Sequence, residues 1–208
     1  VLGRSGDVQL AQRFATALAA ELRAVGITLD YAPVLDIHTN PKNPIIGDRA
    51  LAEDAESVGR LGSAIIRGLQ ENGVAACGKH FPGHGDTSVD SHLELPLVEH
   101  PPDRIRRVEC VPFREAILAD VAFIMTAHVL VPSIDEEKLA TLSRRIVQAL
   151  LRDDGRFTRR IQDDRRQVEQ HASEGHSEIG RRAGVQPQRR RAALEVGQLV
   201  RSQHALED

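Results

Sequence analysis

The densest grouping of reactive side chains is residues 79–92 (KHFPGHGDTSVDSH), where three His, two Asp and one Lys fall within 14 residues. Gly83 and Gly85 let the backbone approach a ligand closely or take positive φ, and Pro82 fixes the direction in which the chain enters the loop. Two chemistries fit such a segment. His80, His84 and Asp86 sit at spacings that hydrolytic zinc loops use, which would make the chain a metal-dependent hydrolase. Asp90 and His92 instead fit a proton-transfer dyad. The carboxylate accepts from one ring nitrogen and fixes the tautomer, while the other nitrogen exchanges a proton near neutral pH. The scattered His38, His100, His171, His176 and His204 read as surface decoration.

A loop of this kind needs a rigid base, and the pattern before residue 152 supplies one. Leu10, Phe14, Leu18 and Leu22 recur every four residues, an apolar stripe for an amphipathic helix over residues 7–25 that Gly26 stops. Residues 27–37 are largely apolar with Pro33 among them, a buried strand. A loop of turn-fixing residues follows, with Asn40, Pro41, Asn43, Pro44 and Gly47-Asp48-Arg49. Val58, Leu61, Ile65, Ile66 and Leu69 mark a second helix closed by Asn72-Gly73, and residues 74–81 a second buried strand. Helix starts follow at Pro101-Pro102-Asp103 and at Pro112, then a third strand over 121–130 and a last helix over 143–152.

This alternation predicts an α/β fold with parallel strands joined by right-handed crossovers. No G-x-G-x-x-G turn follows any of these strands, as a dinucleotide-binding doubly wound sheet would require. The polar clusters follow the strand C-termini, where (β/α)-barrels carry their chemistry. Residues 1–152 are therefore expected to form a partial (β/α)8 TIM barrel lacking N-terminal and C-terminal strands.

Composition narrows the partners. Lys+Arg number 27 against 30 Asp+Glu, a net charge of −3, and aromatic residues make up 3% with no Trp, so neither a basic field nor a base-stacking platform marks a nucleic-acid binder. No apolar run is long enough to span a bilayer. Cys77 and Cys110 cannot make a disulfide framework, which points to a reducing, cytoplasmic setting. Val1 lies in the approach to the first helix, so a fragment without its true N-terminus is expected. Residues 153–208 carry eleven Arg, no Lys and ten acids with no helical or strand period, and they cannot build a core. They are expected to be disordered or the product of a reading-frame shift near residues 152–157.

In order and spacing, five segments resemble the catalytic (β/α)8 domain of glycoside hydrolase family 3, in its β-N-acetylglucosaminidase branch. They are YAPVLDI (31–37), NPKNPIIGDRA (40–50), GVAACGKHFPGHGDTSVDSH (73–92), PFREAI (112–117) and IMTAHV (124–129), and the resemblance covers about residues 10–152. It implies retaining hydrolysis of terminal β-linked N-acetylglucosamine, as in turnover of peptidoglycan muropeptides, on a small carbohydrate substrate and without metal or organic cofactor. His92 would be the general acid/base and Asp90 its orienting carboxylate, while Arg49, Lys79 and His80 would hold sugar hydroxyls. Retaining enzymes ordinarily pair two carboxylates. A neutral imidazole in one of those roles avoids a second anion beside the nucleophile.

The chain departs from the family pattern in two places. The upstream strands, with the acid that the family uses to grip the sugar, are expected to be missing from this chain. A strand of type G-V-I-x-[ST]-D-D-[LM], whose Asp attacks the anomeric carbon, is expected after the last helix, but the chain there reads FTRRIQDDRR (157–166). Asp163-Asp164 comes one residue early, and two Arg replace residues a barrel strand would bury, at a cost of several kcal/mol. Asp164 is the one residual nucleophile candidate, and the chain as it stands is expected to be inactive.

Overall fold

A computed structural model describes residues 2–43, 45–87 and 96–153, all within one unit, Val1–Arg160. The expected division at residue 152 therefore falls at the edge of the described residues, and residues 154–208 lie outside them. After a single turn, α1 (Leu2–Ser5), the first long helix is α2 (Val8–Ala24). The Asp7 carboxylate caps it by accepting from the Gln9 and Leu10 amides at 2.9 and 3.0 Å, and Gly26 ends it at φ 82°. The buried stripe is one residue away from the expected one. Ala11, Ala15 and Ala19 are fully buried, whereas Phe14 is 50% exposed. Close approach of α3 (Ala55–Gln70) is the reason: a Cβ at Gly68 would lie 2.7 Å from the Ala15 Cβ, so only small residues fit between the two backbones. Asp54 caps α3 through the Ser57 amide at 2.8 Å, and Gly73 at φ 78° turns the chain out of it.

Three strands form a parallel sheet in the order β1-β2-β3: β1 (Leu29–Asp30), β2 (Ala75–Phe81) and β3 (Phe123–Thr126). The fold is α/β. Leu29 pairs with Ala75 and Cys77 with Phe123, so β2 is the central strand. The first expected strand, residues 27–37, is reduced to Leu29–Asp30, and Pro33 further on has no amide to donate. The chain nevertheless tracks β2 beyond it, with Lys79 donating to Pro33 O at 3.1 Å and Leu35 donating to Lys79 O at 2.6 Å. Pairing therefore continues to the point where the polar loop leaves β2.

Between β2 and β3 lie α4 (Pro102–Arg107) and α5 (Val111–Leu118), each with a proline in its first turn as expected. Phe113 of α5 meets Phe81 at the end of β2 edge to face, with centroids 5.2 Å apart, and anchors the strand end from below. The third strand is shorter than expected. Leu130 belongs to an antiparallel hairpin, β4 (Leu130–Val131) with β5 (Asp135–Leu139), and the last helical segment, Arg145–Asp153, is π-helical. Among the described residues no helix is long and apolar enough to cross a membrane.

Candidate active site

The site is built on a residue that the sequence reading passed over. Asp36 stands in an otherwise apolar stretch and is 0% exposed. A buried carboxylate is costly unless donors surround it. Three do so here: the His84 amide at 2.7 Å and the His80 amide at 3.3 Å reach Oδ1, and His80 Nδ1 lies 2.6 Å from Oδ2. One acid from the end of the first strand region thus holds both ends of the turn that leaves β2. An Asp within an apolar run is a sequence signal for such a role, because it must find partners or not be buried.

The turn is fixed from two more sides. Residues 79–82 contain cis bonds at Lys79-His80 and Phe81-Pro82. A Cβ on Gly85 would sit 1.7 Å from Ile37 O, so only glycine lets the loop cross the segment after β1 this closely. Asn43, buried, cross-links the loop: its Nδ2 donates to His84 O at 2.8 Å, Gly85 O at 3.1 Å and Thr87 Oγ1 at 3.3 Å. Its Oδ1 accepts from the Ile45 and Ile46 amides, both at 2.8 Å. The turn-rich segment after β1 is thereby a support for the loop after β2.

His80 and Lys79 stand partly buried at the C-terminal end of β2, as placed by sequence. Arg49 lies in a short 3-10 turn, exposed, with Nε donating to Ile45 O at 3.0 Å, and its charge reaches His84. Burial holds the His84 imidazole below its ordinary 6.5, against the pull of the Asp36 charge and with the help of His80 and Arg49. Asp90, His92 and Asp164 lie outside the described residues, as do His171, His176 and His204.

Two expectations need correction. His80, His84 and Asp86 do not converge as ligands: His80 Nδ1 is engaged by Asp36, His84 Nδ1 by Thr87 Oγ1 at 2.6 Å, and Asp86 by Thr39 Oγ1 at 3.0 Å and by His100. Among the described residues no three His, Cys, Asp or Glu side chains group to hold a metal ion. His100 is also no surface ornament, since its Nε2 pairs with Asp86 Oδ2 while its backbone oxygen accepts from Ser133 Oγ at 2.6 Å. His38 is likewise partly buried, with Nδ1 enclosed.

The sequence model described as the glycosyl hydrolase family 3 N terminal domain matches residues 1–198. The chain belongs to glycosyl hydrolase family 3. Among curated relatives, Beta-hexosaminidase A from Pseudoalteromonas piscicida is 40% identical over 161 residues, covering 72% of this chain and 27% of its own length. Among solved structures, a family 3 beta-N-acetylglucosaminidase from Paenibacillus sp. str. FPU-7 superposes with a TM-score of 0.72 at 52% identity, covering 74% of this chain and 29% of that one. NagZ from Neisseria gonorrhoeae, in complex with N-trifluoroacetyl-D-glucosamine, does so with a TM-score of 0.65 at 39% identity, covering 69% and 42%. The chain thus spans less than half the length of these relatives.

Proposed function

We propose that this chain carries the sugar-recognition and proton-transfer portion of a retaining β-N-acetylglucosaminidase site, on the arc of a (β/α)8 barrel formed by residues 1–152. Lys79, His80 and Arg49 hold hydroxyls of a terminal N-acetylglucosamine, His92 is the acid/base, and Asp90 orients it. The observation that carries this reading is the Asp36-anchored turn, which presents His80 beside Lys79 at the C-terminal end of a parallel strand, where barrel enzymes place their chemistry. A family relative solved with an N-acylated glucosamine agrees with it. The substrate is a small carbohydrate such as a peptidoglycan muropeptide, in the cytoplasm, with no cofactor required.

The nucleophile is a separate matter. FTRRIQDDRR (157–166) places two Arg where a barrel strand is apolar, and the proposal includes a shifted reading frame near residues 152–157 and an inactive chain. Resequencing the coding DNA across that point tests the shift, and an intact frame overturns it. The site itself is tested by titrating the protein with N-acetylglucosamine, with and without chelator. Saturable, chelator-insensitive binding that His80→Ala and Lys79→Ala each weaken is the expected outcome. No binding, or binding indifferent to both substitutions, overturns the assignment. Release of nitrophenol from a chromogenic N-acetylglucosaminide, lost in His92→Ala, would overturn the inactivity.

A further inference from the structure

His80 and Asp36 make a contact that determines what the imidazole can recognise. Oδ2 of Asp36 lies 2.6 Å from His80 Nδ1, in a position where the carboxylate is 0% exposed. The other carboxylate oxygen is occupied by two backbone amides, so the acid is locked in orientation. If the ring hydrogen sat on Nε2, the bare lone pair of Nδ1 would face an anionic oxygen with no water to intervene. The hydrogen therefore sits on Nδ1. Among the described residues no group takes the other ring nitrogen, and the His80 side chain is 19% exposed, with the His84 ring edge-on at 6.1 Å.

We infer that Asp36 is a positioning residue that holds His80 as the Nδ1–H tautomer, so that its Nε2 acts as an acceptor and the subsite requires a ligand group able to donate: a sugar hydroxyl. This deepens the proposed function and rests on it for the identity of the ligand. The neighbouring Lys79 ammonium can only donate. The two adjacent side chains thus impose opposite demands, and a hydroxyl, which both donates and accepts, satisfies either. A carboxylate, an ether oxygen or a fluorine has nothing to give to Nε2.

The tautomer is read directly from two-bond proton–nitrogen correlations of 15N-histidine-labelled protein at about pH 8, above the ordinary imidazole range. In the wild type, Nδ1 of His80 is expected to be pyrrole-type and Nε2 pyridine-type. Asp36→Asn keeps an oxygen for the two backbone amides but replaces the other by an NH2 that must donate to Nδ1, so the assignment is expected to invert. Binding is then measured for N-acetylglucosamine and for analogues with each ring hydroxyl in turn replaced by fluorine. One analogue should bind the wild type about tenfold more weakly, the loss of a single hydrogen bond, and that penalty should vanish in Asp36→Asn, where Nε2 donates. An Nε2–H tautomer in the wild type overturns the inference, and so does a parent sugar that binds while every fluorinated analogue binds equally well. If the parent sugar fails to bind, the proposed function falls, while the wild-type tautomer still decides the role of Asp36. If Asp36→Asn does not fold, the wild-type tautomer and analogue series decide it.

Discussion

Asp86 and His100, 14 positions apart in sequence, close on each other through Oδ2 and Nε2, while the second Asp86 oxygen accepts from Thr39 Oγ1 at 3.0 Å. Three segments are tied at one carboxylate: the chain after β1, the loop after β2 and the stretch leading into α4. Each side chain keeps some access to water, 21% for His100 and 29% for Asp86, which moderates the strength of the pair.

The pair is expected to contribute measurably. His100→Ala should cost about 1 kcal/mol of unfolding free energy, and Asp86→Ala somewhat more because it also strands the Thr39 hydroxyl. Urea unfolding of both single variants and of the double variant gives their coupling energy. A coupling indistinguishable from zero would show that the contact contributes nothing to stability.

Asn43 is the most heavily used polar side chain of the site, donating to three oxygens of the second loop and accepting from two amides of its own. Removing it leaves several buried groups without partners. Asn43→Ala is expected to destabilise by about 3 kcal/mol, and Asn43→Asp at least as much, because a carboxylate would face the His84 and Gly85 carbonyls. Chemical denaturation measures this, and a loss under about 1 kcal/mol would contradict the network.

Gly85 tests how closely the loop must cross the segment after β1 at Ile37. A methyl group there would sit 1.7 Å from Ile37 O, a distance no rotamer relieves. Gly85→Ala should lift the loop, lower stability by several kcal/mol and weaken N-acetylglucosamine binding. Wild-type affinity and stability in this variant would mean the crossing is looser than described.

The physical reasons why some features were legible in the sequence and others were not lie in particular residues. Asp7, Gly26, Gly73 and Pro112 mark helix ends in the sequence because end signals and φ restriction are local. The strand alternation and the position of Lys79-His80 followed from hydrophobic pattern. The α2 stripe was misplaced because a four-residue period is shared by Leu10, Phe14, Leu18 and Leu22 and by Ala11, Ala15 and Ala19, and the choice between them is made by the partner helix at Gly68. His100 and Asp36 act through partners 14 and 44 positions away, which no local pattern encodes. Residues 130–139 form a hairpin that includes Asp135, Glu136 and Glu137, a composition poor in strand formers.

His84 sets a pH dependence. Burial holds its native value below the ordinary 6.5, so on acidification the unfolded chain takes up a proton before the folded one does. Stability then rises with pH in this window: it is fully present above 6.5 and is lost as pH falls through the depressed native value. His84→Gln should flatten that part of a curve of urea midpoint against pH. A wild-type curve flat from neutral pH downward through the mildly acidic range would contradict a neutral, buried imidazole.

Glu109 has the opposite sign. It is 6% exposed, both of its carboxylate oxygens are buried without a hydrogen-bond partner, and Arg104 Nη2 lies 3.4 Å from Oε1. Burial therefore pushes its carboxyl above the ordinary 4.5, more than Arg104 and His100 pull it down. The native state keeps its proton to higher pH than the unfolded state, so this group's contribution worsens as pH rises from 4.5 through the raised native value, and the deficit is complete above it. Glu109→Gln removes the buried charge and leaves Arg104, whose side chain is 38% exposed, access to water. Losing one long ion pair costs less than relieving a poorly solvated carboxylate gains, and the variant is expected to be more stable at neutral pH by on the order of 1 kcal/mol. That advantage should shrink as pH falls through the raised native value and vanish below the ordinary 4.5, where the carboxyl is protonated in both states. A Glu109→Gln variant less stable than the wild type at neutral pH would mean that the Arg104 contact outweighs the burial.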